Sequence, residues 1–357
     1  MHLENKNAFL SLLRLGIGHQ GKYFLDNYDW GSIQALAIRQ GLSAIIFDGI
    51  NCLPERARPP KDVLLQWIGS TIQNYEYRYS LYRKAIAGLA GWYNAHGYKM
   101  MVLKGFACSI DWPTPEHRPC GDIDIWLFGK QKEADALLAK ETDIKVDTSH
   151  HHHTVFDWCG FMVENHYDFI NVHHHKSNAA FERILKDQGK DDSYYVEVEG
   201  EKVYLPSPNL HALFLLKHAC LEFAATWLNL RQLLDWAFFV NAHGREVDWL
   251  WLEDILARYG MKSLYDVFNA ICVEDLGFDC SNFPSAQVEP NLKEKVLNEI
   301  ICPSIPNDKP RNLFSRIIWK WHRWKASEWK HKLAYNESLW SSFWSGVWSH
   351  LLKPKSI

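Results

Sequence analysis

Two acidic residues separated by a single isoleucine constrain the fold of this chain more than any other feature. Asp122 and Asp124 lie in the run Gly121–Phe128, where isoleucines take the alternate positions. Because side chains alternate between the two faces of a strand, both carboxylates project from one face and the isoleucines from the other. Adjacent carboxylates on a buried strand need a counter-charge, which a divalent cation with oxygen ligands supplies. The pattern predicts a cation site, and an ordinary solvated strand face is the alternative.

A third carboxylate would complete such a site. Glu164 lies in a second apolar run, Phe161–Phe169, and projects beside the aspartates if the two strands are neighbours. Three carboxylates can hold two Mg²⁺ ions roughly 3.5–4 Å apart, with Mn²⁺ as a substitute. Asp157 and Asp168 compete with Glu164 for this role, and Asp168 shares its strand face by alternation. The sequence favours Glu164.

Basic residues and glycines flank the acidic strand. Lys104 precedes Gly105 at the exit of a short apolar run, where a lysine can reach phosphate oxygens and a glycine lets backbone N–H groups approach. Arg118 suits a bidentate phosphate contact, although surface solvation is the alternative for it and for Lys104. Arg231 could instead pair with Asp235 one helical turn later. The residues expected to contact a nucleotide or its phosphates are Lys104, Gly105, Arg118, Gly121, His166 and Arg231.

Length and composition predict the organisation of the chain. A chain of 357 residues exceeds what one hydrophobic core usually serves. We expect a helical region over residues 1–96, a central domain over 97–206 and a helical domain over 207–357. The net charge of −3 disfavours polyanion binding by bulk charge. Eight cysteines without a CxxC pair, no secretory signal and no long apolar run predict a cytoplasmic protein without a transmembrane segment.

Periodicity and turn residues place the secondary structure. Helices are expected up to residue 96, with Gly41 ending one of them and a long helix over 62–96. Strands are expected over 99–103, 121–128, 143–147, 154–158 and 161–169, followed by a hairpin at 193–205 around Gly200. From residue 206 the chain is expected to be helical again, with strongly apolar helices over 209–223 and 228–240.

Histidine tracts at 150–153 and 173–175 suggest a metal site at first sight. Consecutive histidines on a strand point to alternate sides, whereas zinc requires a tetrahedral set of ligands. We therefore interpret both tracts as loop and strand-edge residues.

The end of the chain, from residue 311 to 355, is rich in tryptophan and basic residues. Trp340, Trp344, Trp348 and Leu352 recur every four residues, which favours a helix packed on the core. Contact with a membrane surface or a nucleic acid is the alternative.

The central motifs together resemble a known family. Lys104-Gly105, Arg118, Gly121-Asp122-Ile-Asp124 and Val163-Glu164-x-His166 resemble the uncharacterised bacterial nucleotidyltransferase family, a branch of the polymerase-β-like superfamily. The resemblance covers roughly residues 30 to 300. It implies an α+β fold, in which a nucleotidyltransferase palm with a small mixed β-sheet is flanked by N-terminal and C-terminal helical domains.

The resemblance also implies a site and a reaction. Asp122 and Asp124 would be metal ligands and Glu164 the third acid. The Gly-Gly or Gly-Ser usual in the superfamily is Lys104-Gly105-Phe106 here, which makes Lys104 a candidate for the phosphate grip. The expected activity is metal-dependent transfer of a nucleoside monophosphate from an NTP, with ATP favoured, to an unidentified hydroxyl. A non-catalytic nucleotide-binding or regulatory protein on the same scaffold is the alternative.

Overall fold

The computed structural model describes residues 3–21, 28–173, 175–304, 312–341 and 344. The first part of the chain is helical, as expected. Gly41 ends the second helix with a φ of 67°, and its backbone N–H donates to Ile38 O, which confirms the predicted cap. A π-helical turn over Ile72–Tyr77 joins two helices without a break, so the long helix predicted over 62–96 is confirmed. The helices are α1 (Leu3–Gly16), α2 (Trp30–Gln40), α3 (Ser43–Asn51), α4 (Lys61–Thr71) and α5 (Arg78–Ala95).

The middle of the chain forms a mixed six-stranded sheet. The strands are β1 (Met101–Val102), β2 (Ile123–Trp126), β3 (His153–Trp158), β4 (Phe161–His166), β5 (Tyr195–Val198) and β6 (Glu201–Tyr204). Their order is β3-β4-β2-β1-β6-β5. The pairs β2–β4 and β1–β6 are parallel and the other pairs are antiparallel. The helices of this segment are α6 (Phe106–Ser109), α7 (Gln131–Glu141) and α8 (Asn178–Gln188).

The sequence prediction of this segment holds, except that the strands are shorter and two elements differ. Strand β2 begins at Ile123 and β4 ends at His166, so Asp122 precedes its strand and Asp168 follows its strand. The strand expected over 143–147 is wrong, because only Asp147 bridges Val155 and the rest of that range is irregular. Helix α8 was not predicted, although it buries Phe181 and Leu185 four residues apart.

Helices follow the sheet to the end of the described chain. They are α9 (Pro208–Ala225), α10 (Leu230–His243), α11 (Trp249–Arg258), α12 (Lys262–Ala270), α13 (Pro290–Ile301), α14 (Leu313–Ala326) and α15 (Glu328–Ala334). Helices α9 and α10 are buried along much of their length, which fits their apolar composition. Among the described residues, no helix is long and apolar enough to cross a membrane.

Two hydrophobic clusters form the core. The smaller one lies between the sheet and helices α5 and α7, and buries Tyr82, Ile123 and Val163. The larger one joins the first helices to the last. A polar contact connects the same helices, because the Lys6 ammonium on α1 lies 2.6 Å from Glu294 on α13. The two helical segments therefore share a core, whereas the division of the chain at residues 96/97 and 206/207 stays a prediction.

The tryptophan-rich end is partly packed and partly exposed. Trp329 meets Phe223 edge to face, with 5.6 Å between ring centres. Trp340 and Trp344 are exposed by 54% and 64%. Trp348 and Leu352 lie outside the described residues, so the four-residue stripe predicted for this segment stays a prediction.

Candidate active site

The acidic strand β2 lies beside β4, which is the arrangement that the third carboxylate required. The two strands are parallel, and Asp124 is the direct partner of Glu164 across them. Partners in register project to the same face of a sheet. Strand pairing thus brings Glu164 to Asp124, as expected.

Asp124 has an unusual set of contacts. Its side chain is fully buried, and its Oδ1 lies 3.1 Å from both Lys104 Nζ and His166 Nε2. Its Oδ2 is also buried but has no hydrogen-bond partner among the described residues. Leaving a buried carboxylate oxygen without a partner is costly. This oxygen is therefore the atom at which a cation would bind, and the residues around it fit one.

Asp124, Glu164 and His166 form a compact group of potential metal ligands. One ligand atom from each lies within 4.8 Å of the others. Asp122 is not part of this group but lines the cavity that Asp124 faces. The rival carboxylates lie elsewhere: Asp157 accepts a hydrogen bond from Gly160 N at the β3–β4 turn, and Asp168 pairs with a lysine on α8. Of the three candidates, Glu164 is the one beside Asp124.

The two aspartates differ in their pKa. Burial alone would raise the pKa of Asp124, but Lys104 and His166 outweigh it, so this pKa is lowered. Burial and then the charge of Asp124 raise the pKa of Asp122. Burial opposes the charge of His166, yet its hydrogen bond to Asp124 and the nearby Glu164 carboxylate raise its pKa to about 9. The neighbours of Asp124 thus favour its charged form, whereas Asp122 lacks a sufficient counter-charge.

A cavity of about 200 Å³ opens onto Asp124, whereas Glu164 does not line it. It brings together most of the residues singled out in the sequence, namely Lys104, Gly105, Arg118, Gly121, Asp122, Asp124 and Arg231. His166 does not line it: this residue is 1% exposed and lies behind Asp124. That placement supports a role in orienting the carboxylate. Helices α9 and α10 add Glu222 and Gln232, which sequence reasoning missed. The polar residues Lys217, His218 and Glu222 on a mostly apolar helix were the available signal.

Gly105 fixes the turn that presents Lys104. Its φ of 63° is in the left-handed region that favours glycine, and an added Cβ would lie 2.6 Å from the Tyr82 hydroxyl oxygen. That hydroxyl donates to the backbone carbonyl of Asp122 at 2.8 Å. Tyr82 therefore links the lysine turn to the start of the acidic strand.

The two arginines have different surroundings. Arg118 donates from Nε and Nη2 to the two oxygens of Asp235, at 2.7 and 2.9 Å, and both side chains are buried. Asp235 is thus bound to Arg118, rather than to Arg231 as the helix spacing allowed. Burial and the charge of Arg118 lower the pKa of Arg231, which indicates that its charge is poorly compensated. Arg231 is the arginine better suited to a phosphate.

The first histidine tract approaches the same group. His153 begins the edge strand β3, as expected, but His152 and His153 both place a ring nitrogen within 4.8 Å of one on His166. The expectation that consecutive histidines cannot converge is wrong, because His152 precedes the strand and is not bound by its alternation. Burial is the main cause that lowers the pKa of His152 to about 2 and of His153 to about 4.

The profile of a family described as "Uncharacterised nucleotidyltransferase" matches residues 26–275. This chain belongs to that family. The match includes every strand of the sheet and every residue named above as lining the cavity.

Other comparisons add little. A solved structure, described as an antigenic nucleotidyltransferase-like protein from Paracoccidioides brasiliensis, aligns at 12% identity with a TM-score of 0.37. The alignment covers 55% of this chain and 92% of that one. No curated protein gives a significant match.

Proposed function

We propose that this protein is a metal-dependent nucleotidyltransferase that moves a nucleoside monophosphate group from an NTP to a hydroxyl-bearing acceptor. The observation that carries the proposal is Asp124: a fully buried carboxylate with one unpartnered oxygen, facing a cavity with basic side chains. Family membership supports the reaction class. A small cavity of this kind suits a polyphosphate bound through a cation.

Asp122, Asp124 and Glu164 would hold Mg²⁺. Bound there, the metal supplies Lewis-acid activation of the acceptor hydroxyl and charge neutralisation at the leaving pyrophosphate. Asp124 and Glu164 are in register on adjacent strands, which fixes their separation. Asp122 lines the cavity two residues earlier, just before β2, and its raised pKa is the response of a carboxylate that lacks a counter-ion.

Lys104 and Arg231 would bind the phosphates. Both line the cavity, and they come from different elements: Lys104 from the turn after β1 and Arg231 from the first turn of α10. Arg118 would have a positioning role instead of a phosphate contact, because its guanidinium is bound to Asp235. His166 would orient Asp124 by donating to Oδ1 from Nε2. ATP is the favoured nucleotide, and the acceptor class is open.

The test is transfer of label from an NTP carrying a radioactive α-phosphate. Metabolite, protein and RNA fractions serve in turn as the acceptor, with Mg²⁺ or EDTA present. Wild type should transfer label to one of the fractions, and only when Mg²⁺ is present. Asp124→Asn should reduce this transfer at least a hundredfold. Asp157→Asn, which changes an exposed carboxylate near the end of β3, is the matched control and should label as wild type does. Undiminished transfer by Asp124→Asn would contradict the proposal.

One contact favours a second candidate, a non-catalytic nucleotide-binding protein. The Lys104 ammonium lies 3.1 Å from Asp124 and compensates the carboxylate charge without a metal ion. A scaffold of this kind would bind an NTP equally well in EDTA and release no pyrophosphate with any acceptor. Metal-independent binding would therefore favour this candidate over the enzyme.

A further inference from the structure

A second group of potential ligands lies beside Asp124, and imidazoles dominate it. Ring nitrogens of His152, His153 and His166 lie within 4.8 Å of one another. Glu164 Oε2 is 3.8 Å from His153 Nδ1 and 3.6 Å from His166 Nε2. Three imidazoles thus converge at the edge of the sheet, and the Glu164 carboxylate lies beside two of them.

Strand pairing and a short turn build this group. His153 and His166 are direct partners across the antiparallel strands β3 and β4. His152 comes just before β3, and its backbone carbonyl accepts hydrogen bonds from the N–H groups of Tyr167 and Asp168, each at 3.0 Å. These bonds hold the turn against the end of β4. The backbone, and not a flexible loop, sets where the three rings meet.

The group contains nitrogen atoms that lack a partner. Nδ1 of His152 and Nδ1 of His153 are buried without a hydrogen bond to any described residue. A buried polar atom normally has a partner, because losing its contact with water is costly. A metal ion satisfies an imidazole lone pair directly.

The ring separations suit a tetrahedral ion. The ring centres are 4.3 Å apart for His152 and His153, 5.6 Å for His152 and His166, and 5.3 Å for His153 and His166. Imidazoles bound to zinc at N–Zn distances of about 2.0–2.1 Å in a tetrahedron place their ring centres about 5 Å apart. Binding would require only small movements of the rings.

We propose that His152, His153 and His166, with Glu164 beside two of them, form a site for a first-row transition-metal cation such as Zn²⁺. Imidazole ligands select such metals, whereas Mg²⁺ takes oxygen ligands. The site is therefore different in chemistry from the Mg²⁺ site proposed above, of which Glu164 is a ligand. An ion held there takes the lone pair of His166 Nε2, whose proton is released, and Lys104 then compensates Asp124. The ion also anchors the turn before β3.

Cobalt titration of metal-free wild-type protein tests this site, because Co²⁺ replaces Zn²⁺ and its absorption bands report tetrahedral geometry. We expect one equivalent to bind with tetrahedral bands, Zn²⁺ to displace it and excess Mg²⁺ to leave it in place. His152→Ala and His152→Gln should each weaken binding at least tenfold. His173→Ala is the matched control, since it removes an exposed imidazole of the same histidine-rich region, and should bind as wild type does.

Either of two results would overturn the proposal. One is wild-type protein that binds no stoichiometric Co²⁺, a result that does not depend on how any variant folds. The other is equal weakening by His173→Ala and the His152 variants, which would indicate surface chelation. Asp122→Asn separates this site from the proposed function: it should keep Co²⁺ binding while losing Mg²⁺-dependent nucleotide binding.

Discussion

The ammonium of Lys104 lies 3.1 Å from Oδ1 of Asp124, a carboxylate with no exposed surface. A lysine at this distance compensates the carboxylate charge when no metal ion is bound. Nucleotide phosphates can draw the same ammonium away while a metal takes over the carboxylate. The pair therefore couples the state of the acidic strand to the occupancy of the cavity.

Replacing Lys104 tests this coupling through stability. Lys104→Met leaves Asp124 buried with His166 as its remaining cationic partner, and removing one member of a buried ion pair typically costs about 3–5 kcal/mol. We expect a loss of about 3 kcal/mol in the free energy of unfolding, part of which Mg²⁺ restores in the variant. Urea denaturation with and without Mg²⁺ measures both. Lys84→Met, at an exposed position on α5, is the control, and an equal Mg²⁺ effect in both variants would refute the coupling.

The two arginines of the cavity should separate stability from binding. Arg118→Met leaves Asp235 without its buried partner and should lower the free energy of unfolding by about 3–5 kcal/mol. Arg231→Met should change stability little, because its charge is poorly compensated in the folded protein, yet weaken NTP binding at least tenfold. Urea denaturation measures the stability of the two variants, and calorimetry measures their NTP binding. Tight NTP binding by Arg231→Met would rule out its contact with phosphate.

The Gly105 turn predicts a steric effect. Gly105→Ala combines a positive φ with a Cβ only 2.6 Å from the Tyr82 hydroxyl oxygen. The free energy of unfolding should therefore fall by about 2–3 kcal/mol. Gly129→Ala shares the positive φ but meets nothing within 4 Å, and should cost only about 1 kcal/mol. Thermal and urea unfolding of both variants measure the difference. Equal effects would show that the contact with Tyr82 does not matter.

His243 should make stability depend on pH. A hydrogen bond to Asp111, with Glu246 adding to it, raises the pKa of His243 to about 9. A histidine in the unfolded chain has a pKa of about 6.5. The stabilising contribution of His243 is therefore full below that pH and is lost as the pH rises through 9. The stability difference between wild type and His243→Ala should therefore be larger at pH 6 than above pH 9. A difference that grows with pH would contradict this assignment.

Local patterns in the sequence predicted much of the fold. Alternation predicted Asp122 and Asp124 on one strand face, but β2 begins at Ile123 and contains only Asp124, whereas the neighbouring strand with Glu164 follows from its own apolar run. The pairing of Arg118 with Asp235 could not be predicted, since it joins residues 117 positions apart and depends on how α10 packs. The convergence of His152 with His166 likewise depends on strand register and a turn, which no local pattern specifies.

The most direct test of the central claim is calorimetric titration of each NTP into wild type, Asp122→Asn and Asp124→Asn, with Mg²⁺ and with EDTA. We predict that wild type binds at least one NTP only with Mg²⁺, and that both variants lose this binding while keeping the cooperative unfolding of the wild type. Metal-independent binding that survives in both variants would contradict the claim that these carboxylates hold the nucleotide through a cation.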